Sequence, residues 1–448
     1  MQSKRTTASL NLHRVSLDDK SLFERYVGES EEQNCDLCFA NIFSWSDSYH
    51  SEVGEAEGFL VIRFDIDGIK SYMQPIGNGD KTTILEMLRH DAFLQHSPLR
   101  LYGLSQEWRK FLEEQYPSEF AFNAPRALSD YIYRTEDLAQ LRGRKYQPKR
   151  NHLNHFIARH DWSIEPISHS NIDVCFALND LWLQNREVGE IELAEQRALH
   201  RALENFDDLS LQGLVLYADG RPAAFSYGTA ITDKTFCTHI EKYDSTIEGA
   251  ATMINREMAK MLEEEYEFIN REDDLGLEGL RFAKMSYHPT LLLEKISALH
   301  LTNEQRQMRD MWHNIFGDEL HEIDEFLINH SDATPFIHKE GEEVVSMLYV
   351  VPLQMWNKRI AYIYAVATKP EYRGRGIATK LLEEAMQFIC IGGNFDLAAL
   401  IPSSSASKRL YERVGFRDTQ TPMEFPTSDY LGTGSTPHDL AMTREVCR

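Results

Sequence analysis

The sequence predicts an α/β chain of mixed sheets, built as three successive blocks of about 150 residues, each long enough to bury its own core. Every block mixes short β-branched and aromatic runs with longer stretches of helical periodicity. The second and third blocks also share one order of elements (helices, hairpin, strand, helix, strand, helix), which points to one architecture used more than once. The composition is that of a globular protein, with 42% hydrophobic and 26% charged residues over 448 positions. We place the blocks at 1–160, 161–298 and 299–448.

In the first block, "GFLVIRFDI", "LRLYGL" and "SDYIYR" read as strands, and "KTTILEMLRH" and "QEWRKFLEEQY" as helices. The second block opens with "WSIEPIS" and continues through "LQGLVLYADGRPAAFSYGTAI", two strands around an Asp219-Gly220 turn. It then runs through the strand "TFCTHIEKY", the helix "EGAATMINREMAKMLEEE", the strand "YEFIN" and a helix near "LEGLRFAKM". The third block starts with the helical "NEQRQMRDMWHNIF" and "HEIDEFLINH", then the hairpin "TPFIHKEGEEVVSMLYVVPLQ". After it come the strand "RIAYIYAVATKP", the helix "IATKLLEEAMQFI", the strand "FDLAALIP" and the helix "SASKRLYERVGF".

A net charge of −23 argues against generic attraction to nucleic acid or to an anionic membrane. No apolar leader follows Met1, and no run approaches about 18 apolar residues, so neither export nor membrane insertion is expected. Six cysteines are too sparse for a disulfide scaffold, and a reducing cytoplasm fits. Cys35 and Cys38 form a lone C-x-x-C. It reads as two small apolar residues on a buried face, with metal or redox chemistry as the alternative; no metal is expected.

The segment "VATKPEYRGRGIATKLLEEA" carries the clearest chemistry. A strand ends at Thr368, a Gly- and Arg-rich loop follows, and a helix begins near Ile377. Unpaired N–H groups at a helix start, with the dipole behind them, bind anions. Gly374 and Gly376 remove the side chains that would keep a pyrophosphate from those amides, while Arg373 and Arg375 add charge. The loop lacks both G-x-x-x-x-G-K-[ST] and G-x-G-x-x-G, but it matches Q/R-x-x-G-x-G/A at Arg373, Gly376 and Ala378. Some thirty residues on, "SSSASKRLYERVGF" is similar to N-x-x-A-x-x-L-Y-E-x-x-G-F. Together these resemble the GNAT acetyltransferase superfamily over roughly residues 301–425.

That resemblance implies a GNAT fold and acetyl-CoA as co-substrate. Its pyrophosphate would lie on Arg373, Gly374, Arg375, Gly376, Ile377, Ala378 and Thr379. The backbone of Ala365, Val366 and Ala367 would bond the pantetheine, and an N–H there would stabilise an oxyanion. Tyr411 would protonate the departing thiolate, packing under the loop being its alternative role. Ser404 stands where the family often has Asn, and Ser407 where it often has Ala, so Ser404 is expected to hold pantetheine less firmly. No general base is assigned; Tyr362, Tyr364, His338 and Glu424 are the candidates near the cleft. The acceptor is read only as the amine of a small molecule or peptide.

Between Asp137 and Asp161 there is no carboxylate, yet Arg142, Arg144, Lys145, Lys149, Arg150 and Arg159 all lie there. A solvated basic face is one explanation; a site for tRNA or a phosphorylated ligand is the other. With "NREDDLGLEGLRFAKMSYHP", this stretch resembles a bacterial family similar to the soluble C-terminal domain of phosphatidylglycerol lysyltransferase. Such domains are tandem GNAT-like folds, related to the Fem peptidyltransferases that take an aminoacyl group from tRNA. The resemblance covers roughly residues 10–297, without the membrane-spanning half of the lipid-modifying enzymes. Lys149, Arg150, Arg271, Arg281 and Lys284 are the candidates to hold an anion there, and Glu272 and Asp273 to handle an amine. "YDSTIEGAATM" lacks the R-x-x-G-x-G spacing, so the second block is not expected to bind CoA as the third does. The reading is an N-acetyltransferase whose C-terminal block uses acetyl-CoA. The alternatives are aminoacyl-tRNA-dependent transfer by the tandem domain, or a binding or dimerisation role for it.

Overall fold

A computed structural model describes residues 9–28, 30–184, 188–355, 357–392, 394–418 and 441–446. Glu424 lies outside the described residues. The fold is α/β with mixed sheets, three GNAT-type sheets in all, and it divides into two compact units. The first comprises Met1–Arg109 and Ala124–Ser297; the second comprises Lys110–Asn123 and Ala298–Arg448. Among the described residues no helix is long and apolar enough to cross a membrane.

The first unit contains two sheets. One runs His13–Arg14, Glu52–Ala56, Phe59–Ile66, Ile69–Met73, Arg100–Leu104 in spatial order. The other runs Leu291–Leu293, Asp130–Arg134, Phe268–Asn270, Thr235–Tyr243, Arg221–Ala230, Gln212–Ala218, Trp162–Pro166. The strand Asp130–Arg134, which sequence analysis assigns to the first block, therefore pairs in the sheet of the second, against Phe268–Asn270 and Leu291–Leu293. Asp219 (φ 52°) and Gly220 (φ 73°) both take the left-handed conformation that a two-residue hairpin turn requires, and Ala218 pairs with Arg221 across it. One apolar core joins the halves, with Phe23, Leu37 and Val53 packed in the same cluster as Cys175, Val215, Phe225 and Cys237.

The second unit has the sheet order Thr334–Glu340, Glu343–Met355, Lys358–Thr368, Leu397–Leu400, Met442–Glu445, Arg417–Asp418. The long strand "EVVSMLYVVPLQM" is apolar on both faces because helices cover both. Met347, Tyr349 and Val351 face the helices Asn303–Phe316 and Leu320–Asn329, through Trp312 and Phe326. Leu348 and Val350 face the helix Ile377–Ile391, which buries Leu381, Leu382, Ala385, Met386 and Ile389 at helical spacing. Each such leucine contributes about 1.5–3 kcal/mol when fully buried. Thr302 and Gln305 form a reciprocal capping box that starts Asn303–Phe316, and Gly317 (φ 81°) ends it. This packing fixes the strand and helix that flank the Arg-Gly loop.

Candidate functional site

The strand Lys358–Thr368 pairs antiparallel with Glu343–Met355 over most of its length, but parallel with Leu397–Leu400 only from Ile360 to Tyr362. Past Tyr362 that second pairing stops, so among the described residues no strand pairs with that edge of residues 363–368. Met347 pairs with Ala367 and Tyr349 with Tyr364, so an extra residue bulges from the strand between them. Ala365, within that bulge, has φ 49°. Bulges of this kind re-aim the backbone, and a left-handed alanine is costly enough to mark a site.

After Thr368 the chain makes one tight turn at Pro370–Tyr372 and enters the loop. Gly374 (φ 77°) and Gly376 (φ 80°) are both left-handed, and no atom lies within 4 Å of where a side chain would begin at either. The helix Ile377–Ile391 starts at Gly376 without a side-chain cap, so the first-turn amides of Ile377, Ala378 and Thr379 have no capping partner there. Arg373 donates from Nε to the Thr368 carbonyl (3.0 Å) and Arg375 donates to that of Glu371 (3.0 Å). Both arginines are exposed, with Arg375 lying 4.9 Å over the Tyr372 ring. The loop is an open, positive cradle of backbone amides.

The second block has a glycine at the matching helix start, and it serves another purpose. Gly249 (φ 92°) precedes the helix Ala250–Leu262, but a side chain there would begin 2.9 Å from the His152 carbonyl and 2.9 Å from Phe156 Cβ. The helix Gln147–Arg159 covers that amide cluster, and Arg159 bonds Glu248 at 2.7 Å beside it. This helix start is closed to a phosphate.

Tyr411 lies on the helix Ser405–Arg413, buried among Leu348, Val350, Ile363 and Leu400, and burial pushes its phenol up to about 12. Burial also raises Tyr362 and Tyr364 well above the ordinary tyrosine value. His338 lies 3.7 Å from Glu340. Ser404 caps the helix of Tyr411, its Oγ accepting from the Ser407 amide at 3.1 Å.

The basic stretch of the first unit is largely partnered within the chain. Arg142 bonds Glu136 (3.3 Å), Lys145 bonds Asp137 (3.5 Å) and Arg159 bonds Glu248. Arg150 donates to the carbonyls of Leu141 and Gly143 and to Gln147, bracing the turn before its own helix. Lys149 takes another path: its ammonium lies 3.8 Å over the Tyr287 ring, on which Arg271 also stacks at 5.0 Å. Burial, with the Arg271 charge alongside, lowers Lys149 to about 8. Arg271 bonds Glu241 (3.0 Å), and Arg281 forms a two-pronged bond to buried Asp274 (2.9 and 3.0 Å). Lys284 donates to the carbonyls of Arg271 and Asp273. Of the five candidate anion ligands, the structure brings Lys149 and Arg271 together, with Arg271 also bonded to Glu241; it turns Arg150, Arg281 and Lys284 to partners within the protein.

Cys35 and Cys38 are buried in the apolar core cluster with Phe23, Leu37 and Val53, as small residues on a buried face, and each also meets polar groups. Cys35 meets Asp130, its backbone N–H donating at 2.9 Å and its sulfur lying at 3.3 Å. Lys295 reaches the same place and bonds Asp36 (3.0 Å), Asp130 (2.9 Å) and Asp273 (3.4 Å). Burial opposes the Lys295 charge, yet those acids hold its ammonium well above the ordinary lysine value. Cys38 meets His239 Nε2 at 3.7 Å, while His239 Nδ1 lies 3.1 Å from Glu272. Sequence reasoning missed Asp130, Cys237, His239 and Lys295. The available signal was C-x-H within the strand "TFCTHIEKY".

Residues 28–298 match the family described as phosphatidylglycerol lysyltransferase, C-terminal. The chain belongs to that family. Residues 299–416 match the acetyltransferase (GNAT) family, so the chain also carries a GNAT acetyltransferase domain. A crystal structure of a conserved protein of unknown function from Bacteroides thetaiotaomicron VPI-5482 is 39% identical. It covers 65% of this chain and 100% of its own, with a TM-score of 0.64. An uncharacterised protein of Mycoplasmoides gallisepticum is 24% identical over 204 residues, 44% of this chain and 62% of that relative, so the chain spans less than two thirds of the relative's length. A GNAT family acetyltransferase from Elizabethkingia anophelis, solved with acetyl-CoA bound, is 18% identical over 31% of this chain and 89% of its own, with a TM-score of 0.24.

Proposed function

We propose that the C-terminal unit moves an acetyl group from acetyl-CoA to a primary amine, in a reducing cytoplasm. The observation that carries this reading is the open amide cradle at Gly374 and Gly376, set at the end of a strand that has lost its neighbour. Acetyl-CoA supplies a thioester-activated acyl carbon and a thiol leaving group. The amides of Ile377, Ala378 and Thr379 hold the pyrophosphate, with Arg373 and Arg375 adding charge-assisted bonds. Ala365, Val366 and Ala367 offer their unpaired backbone edge to the pantetheine arm, and one of their N–H groups stabilises the developing oxyanion. Ser404 keeps a hydroxyl at the start of the Tyr411 helix, on the side of the arm. Tyr411 gives its proton to the sulfur. One C–N bond forms and one C–S bond breaks; the amine loses a proton and the thiol gains one, so the balance closes.

Calorimetry with acetyl-CoA, followed by thiol release in the presence of a panel of amines, tests this reading. Saturable heat and amine-dependent thiol release support it. No heat and no thermal shift at millimolar acetyl-CoA would overturn it.

The family of the first unit supports a second reading, in which that unit moves an aminoacyl group from aminoacyl-tRNA or binds such a ligand without catalysis. The convergence of Lys149 and Arg271 on Tyr287 favours a phosphorylated partner there. Filter binding of charged tRNA at physiological salt, compared with Lys149→Glu/Arg150→Glu, tests it. Salt-sensitive binding lost in the double variant supports this reading, and no binding by the native chain removes it.

A further inference from the structure

The first unit contains a second cluster of reactive side chains, which the transfer chemistry above does not use. Its frame is the strand Thr235–Tyr243, paired in parallel with Phe268–Asn270 so that Cys237 stands opposite Asn270. Thr238 pairs with Gly228 and Ile240 with Tyr227, which makes His239 the extra residue of a bulge. Residues two apart on a strand share a face, so the imidazole lies on the side of Cys237. Two residues past Asn270 the chain takes a left-handed turn at Glu272 (φ 57°), pinned by the Tyr131 amide donating to the Glu272 carbonyl at 3.1 Å. Glu272 is thereby aimed at the same spot.

We infer that Cys237, His239 and Glu272 form a binding site for a divalent transition metal of the zinc class. One ligand atom from each lies within 4.8 Å of the others. Cys237 Sγ is 3.7 Å from Glu272 Oε1, which is 3.1 Å from His239 Nδ1. Tetrahedral zinc with bonds of about 2.3 Å to sulfur and 2.0–2.2 Å to nitrogen and oxygen sets its ligands roughly 3.4–3.6 Å apart. Two of the three separations, 3.7 and 3.1 Å, lie close to that spacing, and the third is within 4.8 Å. A thiolate, an imidazole and a carboxylate together suit zinc, where an all-oxygen set would suit magnesium or calcium.

The surroundings fit as well. With Nδ1 on the metal, the other ring nitrogen of His239 donates to Cys38 at 3.7 Å, and Asn41 donates to Glu272 at 2.9 Å. Partners of this kind orient metal ligands. His239 has only 7% of its side chain exposed, but Glu272 has 29%, so an ion has a path in from the carboxylate side. Three protein ligands leave a fourth position open, the pattern of a site that binds a water or substrate atom.

Cobalt(II) titration of the full chain, purified without an affinity tag and stripped with a chelator, tests the site. The expected result is one equivalent bound, with a sulfur-to-cobalt charge-transfer band and tetrahedral d–d bands that zinc abolishes. Cys237→Ser should remove the charge-transfer band, whereas Cys35→Ser should leave it unchanged. Glu272→Gln should weaken binding by about tenfold or more. No band in the native chain would overturn the proposal and leave a hydrogen-bonded network. A band that survives in folded Cys237→Ser would overturn it too, by placing the metal elsewhere. Because the native chain decides the first question alone, a variant that fails to fold does not shelter the idea.

Discussion

Gly376→Glu is expected to abolish acetyl-CoA binding while the C-terminal unit stays folded. Gly376 sits at φ 80°, ψ 1°, so any side chain there incurs roughly 1–2 kcal/mol of left-handed strain. Nothing lies within 4 Å of the new Cβ, so no clash adds to it. Against a total of about 5–15 kcal/mol the loss is tolerable, and the melting temperature should fall by about 2–8 °C. Binding suffers more. A carboxylate about 5 Å from a pyrophosphate, at an effective dielectric of about 40–80, repels each unit charge by about 1–2 kcal/mol. Two such charges weaken affinity by roughly 2–3 kcal/mol, about thirty- to two-hundredfold, before steric blockage is counted. Calorimetry with acetyl-CoA measures the loss, and thermal unfolding checks the fold. Gly376→Ala carries the strain without the charge and should bind much better than the glutamate variant. Native-like affinity in Gly376→Glu, to within about threefold, would refute the reasoning. So would an equal loss in both variants.

Three further predictions can be checked independently. Tyr411→Phe should lower turnover by about ten- to a thousandfold with acetyl-CoA affinity little changed, and equal loss of both would make Tyr411 a packing residue; since its phenol is pushed up to about 12, the native rate should not decline between pH 8 and 10 through this group. Lys149 is held near 8 in the fold, below its unfolded value of about 10.5, so its charge opposes folding at neutral pH and that burden lifts as pH rises from 8 to 10.5; Lys149→Met should therefore stabilise the chain at pH 7 by about 1–3 kcal/mol and flatten this part of the profile in urea unfolding, whereas destabilisation at pH 7 would sink the argument. Gly249→Ala should cost the first unit about 2–4 kcal/mol, because its Cβ would begin 2.9 Å from a carbonyl as well as at positive φ, while Gly376→Ala costs the second unit only the strain; melting curves resolve the difference.

What the sequence discloses depends on how local the chemistry is. The Arg-Gly loop is legible because strand end, glycines, arginines and helix start follow one another within a dozen residues, and the physics of a helix N-terminus does the rest. The hairpin at Asp219-Gly220 is legible for the same reason. The polar centre of the first unit is not. Cys38 meets His239 across 201 positions, and Lys295 meets Cys35 across 260. Only the packing of two sheets in one unit brings them together, and no periodicity encodes it. Placing Asp130–Arg134 fails in sequence on similar grounds: a strand shows its faces by alternation, but not its neighbours. In the basic stretch the carboxylates that answer it lie outside the window in which none occurs: Glu136 and Asp137 at its edge, and Glu248 far along the chain.

Gly249 and Gly376 show why a repeated architecture does not repeat a function. Both are left-handed residues at the start of the helix that follows the third long strand of their block, and both are glycine for the same backbone reason. Around Gly249 the helix Gln147–Arg159 fills the space that an anion would need, and the Arg159–Glu248 pair neutralises what charge is left. Around Gly376 that space is open and flanked by two exposed arginines. The helix dipole and the first-turn amides come with the fold, although in the second block the Ala250 amide already donates to the Ile247 carbonyl at 3.2 Å. What distinguishes a binding site from a packing site is which element covers them. In this chain the helix Gln147–Arg159, which lies in sequence between two strands of the second sheet, closes one copy, and the third copy is left uncovered at Gly376.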